Sequence, residues 1–544
     1  MGLGVLGDSH MAEVPGTVLL NDSVARPEHE QPEPGLRRVD GNTVLSPQPS
    51  DDINDPLNWP GWKKELNIII LCLGAMLNAG TNGPLLNASY FPIAAELNVP
   101  LTDVVLASGY NLLAAGCAGP FACAASRKYG KRPVYLVSTL LAIIGTAVGE
   151  AKMNFKYLLA ARIIQGFSTS AFESLIIASV GDTYFVHQRG LRIGVINFIL
   201  NAASSLSSII CGQVYSSLGY YWLFHLFQVF LVIQFVAMFL FCPETTYLRD
   251  TEPAVDIIED VEDVEKTEKE VPSHVEVSQP SDIVNQASSP TSRKAKKTFV
   301  QELAVFNGVY SHEGVYKFFI GPLLALLNPA ACYSIITSGL LNSWYVGSAI
   351  ILSGVFSGAP WYYDAAQIGY LGAGPFIGGM IGSIVVACFS DRLIKYMGRL
   401  NGGIYEPEFR LIFMPIAGIA CTVGMFLFGY TMSIGANALL CAFLQGVMMF
   451  GVLIGIFSTL SYGLDAFKSQ ANEIFIMNMV FKNFLFYGLS DFANDWVADK
   501  GPAEMMYVLG GTSCFLSILA LPVYVYGKKL RSWQARKGIY KGEM

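Results

Sequence analysis

The sequence predicts an all-α membrane protein with twelve transmembrane helices in two pseudo-symmetric six-helix halves. Three observations carry this reading. The 544-residue chain is 52% hydrophobic and 14% charged, with mean hydropathy +0.43, too apolar for an ordinary soluble multidomain protein of this length. It contains twelve apolar runs of roughly 18 residues or more, the length that crosses a bilayer core as a helix. A polar segment divides those runs six and six.

In chain order, residues 1–62 start "MGLGVLGDSH" and turn polar and Pro-rich, which predicts a disordered tail. They lack the basic start and apolar core of a signal peptide. Six runs follow near 65–86, 104–125, 133–149, 157–181, 192–217 and 220–242, giving an N-terminal half over 63–242. The linker 243–315 is acidic in "DIIEDVEDVEKTEKE" and then Ser-, Pro- and Lys-rich, so it is predicted to be solvated and disordered. Runs near 316–341, 366–389, 410–431, 435–461, 471–490 and 505–526 make a C-terminal half over 316–527, and 528–544 form a tail.

Charge sets the expected orientation. The net −7 is concentrated in residues 1–62, which carry −7, and 243–300, which carry −6, so the rest of the chain is about +6. The acidity therefore belongs to a tail and a linker. Loops on the side of the termini carry Arg127, Lys128, Lys131, Arg132, Arg189, Arg192, Arg392, Lys395, Arg399, Arg410 and Lys468, whereas the opposite loops carry Lys152, Lys156 and Lys500. The excess of cations predicts that both termini and the linker are cytoplasmic; the plasma membrane is the expected location.

Several functional classes are excluded. The ten cysteines stand singly in or beside apolar runs, and the six histidines are scattered, so no metal or disulfide spacing exists. "GLGVLG" fits a dinucleotide pattern but lacks the flanking strand and helix, and no G-x-x-x-x-G-K-[ST] occurs. No cofactor is expected. The basic knot "SRKYGKRP" is a short turn between two spans, without room for a nucleic-acid groove. No nucleophile–base constellation suggests an enzyme.

Four motifs bear a resemblance. The run Ser126–Val134 resembles the loop signature of the major facilitator superfamily, Ser-Asp-Arg-Tyr-Gly-Arg-Arg-Pro-Val. "ARIIQGF", with Arg162, Gln165 and Gly166, resembles that family's R-x-x-Q-G element. "PETTYLRD" and "NGGIYEPEFRL" are similar to its fungal drug:proton antiporters and polyamine or cation transporters. The chain departs from the pattern at Arg127, where the family has Asp, whereas Asp391 and Arg392 keep the second-half form. The fifth helix is rich in Ser and Ala instead of Gly and Pro, and the first helix offers Asn78 and Asn82 in place of an acid.

The resemblance implies two halves rocking around a central site, with the first, fourth, seventh and tenth helices around the cavity. On that basis Asn78, Asn82, Asn328 and Gln445 are candidate lining residues, with interhelix hydrogen bonding as the bland alternative. Other polar candidates are Asn111, Asn197, Asn201, Tyr333, Tyr370 and Asn478. Charges inside spans are costly and so draw attention. Glu173 reads as a proton carrier or an anchor for a cationic substrate, or else as a structural partner of a buried cation. Lys482 reads as a site residue or as a charge held by interhelix hydrogen bonds. By resemblance, Arg162 is a candidate for proton coupling.

The family's loop acid faces the start of the eleventh helix, where partial positive charge favours an anion. With Arg127 in its place, Glu473 becomes the expected partner. Asp182 is expected to meet Lys131 or Arg132, and Asp391 to sit near Arg192, making a gate. The resulting expectation is a monomeric secondary transporter of a small organic molecule, coupled to protons, that exports a drug-like compound or metabolite. Uptake of a cation such as a polyamine, and a non-transporting receptor on the same fold, are the alternatives.

Overall fold

Backbone polar groups in hydrocarbon find no water, so a chain this apolar must satisfy them inside helices. The computed structural model describes residues 3–6, 11, 14–19, 38–39, 43–44, 49–50, 52–201, 203–247, 297–310, 317–467 and 470–537. Side chains are described for the same residues except 18–19, 38–39, 43–44, 186–191, 203, 317–319 and 391.

The first half comprises α1 (Gly61–Ala75), α2 (Tyr90–Leu97), α3 (Leu101–Tyr129), α4 (Lys131–Ala151), α5 (Phe155–Thr183), α6 (Val186–Asn201), α7 (Ala203–Leu218) and α8 (Tyr220–Phe241). A short α9 (Phe299–Glu302) and α10 (Lys317–Ala325) precede the second half. That half holds α11 (Pro329–Ile350), α12 (Leu352–Phe356), α13 (Ala365–Tyr370), α14 (Ala373–Leu400), α15 (Met414–Ser433), α16 (Ala438–Ala466), α17 (Ala471–Lys500) and α18 (Pro502–Lys537).

Among the described residues, ten helices are long and apolar enough to cross a membrane, and a bent pair, Gly61–Thr81 with Pro84–Leu97, makes an eleventh. The eleventh run of the sequence, 471–490, corresponds to α17, whose 30 residues have the length of a span but include Glu473, Lys482, Asp491, Asp495 and Asp499. α17 packs along α3 and α11, which joins the two halves.

Two boundaries differ from expectation. The seventh span begins at Pro329 and not near 316, because Asn328 accepts from the Ala330 and Ala331 amides and Pro occupies the first helical turn, a strong start signal. The segment before it forms the separate α10. The linker, expected to be solvated throughout, is ordered over 297–310. There Arg132 donates to the Glu302 and Leu303 carbonyls, Lys63 pairs with Glu302 at 2.7 Å, and the Tyr310 amide donates to the Lys128 carbonyl at 2.9 Å. Most of the acidic linker and much of the N-terminal tail lie outside the described residues.

The basic knot has a specific architecture. Gly130 turns the chain between α3 and α4 at φ +93°, a conformation that favours glycine. A Cβ there would also strike the Glu244 carboxylate. That carboxylate accepts from the Lys131 and Arg132 amides at 2.9 and 3.1 Å, the anion at a helix N-terminus that the backbone dipole favours. "SRKYGKRP" is thus joined to Glu244, the glutamate of "PETTYLRD".

The second half ends on a buried ion cluster. Arg531, fully buried, donates to Glu406 at 3.0 Å and to both oxygens of Glu408 at 2.8 and 3.0 Å, while Lys528 also pairs with Glu406. Arg531 reaches the Pro15 carbonyl as well, Thr17 donates to Glu406 at 2.9 Å, and Val18–Leu19 pair antiparallel with Ile404–Tyr405. A stretch of the N-terminal tail is therefore strapped onto the second half.

Because removing the cation of a buried ion cluster strands its anions, Arg531→Ala is expected to cost about 3–5 kcal/mol of stability. Arg531→Lys should recover only part of it, since an ammonium lacks the planar fork. Thermal unfolding of the detergent-solubilised protein measures both.

Candidate functional site

The first span breaks where the sequence reads "NAGTNGP". Met76–Thr81 widen into a π turn, Pro84 removes a backbone donor, and the helix axis bends by 44°. Arg162, fully buried on α5, grips this break. Its guanidinium donates to the carbonyls of Asn82 and Gly83, both at 2.7 Å, and to Gln165 Oε1 and Ser108 Oγ, both at 3.1 Å. These four acceptors are neutral, and two are carbonyls at the end of a helical segment, where partial negative charge collects.

Against the break, whose Ala79, Gly83, Pro84, Asn87 and Ala88 line it, lies a cavity of about 180 Å³ between the halves, walled also by α2, α3, α5, α6, α7, α11, α12, α13, α14, α16 and α17. Glu173 of α5 and Lys482 of α17 meet in its wall as an ion pair, with side chains 13% and 20% exposed. Asn483 donates to the second Glu173 oxygen at 3.1 Å, so the carboxylate is held by two neighbours on α17. Ser343 of α11 donates to the Lys482 carbonyl at 3.1 Å and Ser338 to Asn478 at 2.6 Å, tying the same stretch of α17 to α11. Glu173 and Lys482 are the charged members of the described wall. The rest is neutral: amides such as Asn197, Asn201, Asn342 and Gln445, hydroxyls of Ser204, Ser205 and Tyr345, and apolar surface from Leu112, Ile456 and Phe486.

Among the residues singled out from the sequence, Glu173, Gln445, Lys482, Asn197, Asn201 and Asn478 line the cavity. Asn78 and Asn82 do not: Asn82 donates to the Gln165 carbonyl and Thr169, which fastens the break in the first span to α5, and Asn78 donates to the Gly74 carbonyl within its own helix. Asn328 caps α11, Asn111 donates to the Arg162 carbonyl, and Tyr370 donates to Gln213 at 2.7 Å. The serines of "NAASSLSS", notable in the sequence only as a departure from a pattern, supply cavity hydroxyls, and Ser205 bonds Tyr345 across the halves at 2.7 Å. Asn483 and Asn342 were not anticipated, because an amide in an apolar run looks the same wherever it points.

At the end opposite the basic loops the halves are sealed by the Phe91 amide donating to Ser353 at 2.9 Å and by Ser216 donating to Asp364 at 2.9 Å. Gly212, Gly369 and Gly372 also bring α7 against α13 and the start of α14 at backbone distance. At the basic end, Arg127 approaches Glu473 at 3.5 Å across the halves. Lys131 pairs with Asp182, while Arg132 instead takes the Phe239 carbonyl at 2.7 Å and the linker carbonyls. Arg192 pairs with Glu65 of α1, and Arg392 is exposed. The Asp391 side chain lies outside the described set. The second half repeats the Lys131–Asp182 device: Arg410 meets Asp465, at the end of α16, at 2.8 Å. Tyr405 donates to the same carboxylate at 2.6 Å, and burial followed by the Asp465 charge pushes its hydroxyl pKa up, which keeps it a donor.

The sequence model of the Major Facilitator Superfamily matches residues 69–485. An uncharacterised MFS-type transporter of Schizosaccharomyces pombe is 26% identical over 564 residues, covering 97% of this chain and 94% of its own. Protein HOL1 of Saccharomyces cerevisiae is 21% identical, with 97% of each chain covered. The efflux pump radE of Floropilus chiversii is 23% identical, with 96% of this chain and 90% of its own covered.

The geometry assigns Arg162 to the helix break and not to the cavity wall. Arg162→Lys should therefore lower thermal stability by about 3 kcal/mol or more, because one ammonium cannot reach all four acceptors. The pH dependence of any surviving transport should stay unchanged, as read by unfolding and by flux across a pH series.

Proposed function

Because the chain belongs to the Major Facilitator Superfamily, we propose that this membrane transporter moves a small organic molecule through its central cavity by alternating access, coupled to protons. The observation that carries the coupling is the Glu173–Lys482 pair, an ionisable contact made between the halves and in the cavity wall. A proton on Glu173 removes its charge, dissolves the ion pair and leaves Lys482 as a free cation. Protonation thus changes both the charge of the cavity and a tie between the halves, as a coupling step requires.

Export is the direction we propose. It is supported by the relative named an efflux pump, and by the neutral, partly apolar wall that suits a metabolite of mixed character. The basic end is taken as cytoplasmic and the membrane as the plasma membrane. The protein works as a monomer in this reading, with tails and linker in the cytosol. A cationic nutrient anchored on Glu173 would have to displace the ammonium already there, so uptake of a polyamine has less support.

In proteoliposomes with an imposed pH gradient, Glu173→Gln should lose gradient-driven accumulation by at least roughly tenfold, the scale of one lost charge interaction. Whatever flux of cargo down its own gradient remains should no longer respond to the pH gradient. Unchanged proton-driven accumulation in this variant would overturn the coupling role.

A further inference from the structure

Resting on the transport reading, the charge balance of the cavity narrows the cargo. Glu173 and Lys482 carry opposite charges, touch each other, and are the charged groups of the described wall. The empty site is therefore neutral. The same cavity wall carries neutral hydrogen-bonding groups from several elements: Asn342 on α11, Gln445 on α16, and Asn478 and Asn483 on α17, of which Asn483 donates to Glu173. Gln445 is 1% exposed, and its Oε1 has no hydrogen-bond partner among the described residues. A buried acceptor left open in a cavity wall points to a donor that arrives with a ligand.

A singly charged cargo disturbs this balance. An ammonium reaches Glu173 only by turning Lys482 out of its pair, and a carboxylate reaches Lys482 only by doing the same to Glu173. Either event strands a charge in a low-dielectric site, which is costly. A molecule carrying both groups exchanges the internal pair for two ligand pairs and strands nothing.

We propose that the cargo is a small zwitterion, its cationic group on Glu173 and its anionic group on Lys482, and that the Glu173–Lys482 pair stands in for it when the carrier is empty. The arrangement also explains how proton and cargo exclude one another. Both the proton and the cargo's cationic group neutralise the same carboxylate, so one must leave before the other binds. That competition is what proton-for-cargo exchange needs. No covalent step is involved.

The test uses the full-length protein in proteoliposomes and matched probe sets: phenylalanine, phenylalaninamide and N-acetylphenylalanine, with the same three forms of leucine and alanine. Binding is read by thermal stabilisation and transport by flux. The zwitterion of a set is expected to outcompete both singly charged forms by roughly tenfold or more, the loss of one charge-assisted contact. In Glu173→Gln the preference should pass to the N-acetyl acid, in Lys482→Gln to the amide, and in the double exchange Glu173→Lys with Lys482→Glu back to the zwitterion. Preference for a singly charged form in the native protein, no discrimination, no binding in any set, or a preference that the variants do not move overturns the proposal. Proton-driven flux of a singly charged cargo would sink the zwitterion while leaving proton-coupled transport intact. A carrier that shows no gradient-driven flux of any substrate fails at the earlier reading instead.

Discussion

The contact between Glu173 and Lys482 is the constraint on which the centre of the molecule turns. Two opposite charges from different halves share a low-dielectric wall, and either one alone there is costly. The helices that present them are held accordingly. α17 is fastened to α11 through Ser338 and Ser343 and packs along α3, while α5 is fastened to the first span through Asn82 and Thr169. Asn483 completes the coordination of the carboxylate from the lysine's own helix. A change in the charge of either partner is felt by both halves.

Arg162 solves a different problem with the same currency of charge. A break in a membrane helix leaves carbonyls without partners, and hydrocarbon supplies no water to satisfy them. A guanidinium spans two such carbonyls and two side chains at once, so the bend in the first span becomes a fixed feature beside the cavity. The division of labour is clear from position: Arg162 shapes the wall from behind, and Glu173 and Lys482 face the space. At the basic end, each half places an acid in the last turn of its fourth helix, where the backbone dipole disfavours it, and answers it with a loop cation. The device is repeated because the halves are.

Much of the architecture was legible because it follows from solvent. The spans, the polar division between halves and the asymmetry of Lys and Arg all record a bilayer acting on individual residues. The exceptions are instructive. The seventh span was displaced because apolarity continues through α10, and only the Asn328–Pro329 cap separates the two helices. α17 is less apolar than the other spans because it carries charges, of which Glu473 and Lys482 pair with Arg127 and Glu173 of the first half. Glu406 and Glu408 were quoted in the sequence as part of a motif, yet their role needed Arg531, more than a hundred residues away, to become visible.

The site was legible in kind and not in arrangement. Sequence alone determined that Glu173 and Lys482 are charges inside spans, since that follows from local hydropathy, and it supplied the resemblance that gives the fold. It did not determine that they meet, that Asn78 and Asn82 face a helix junction and not the cavity, or that the serines of the fifth span line it. Those outcomes depend on which face of each helix turns inward. That choice is made by packing between segments hundreds of residues apart, and only the tertiary structure decides it.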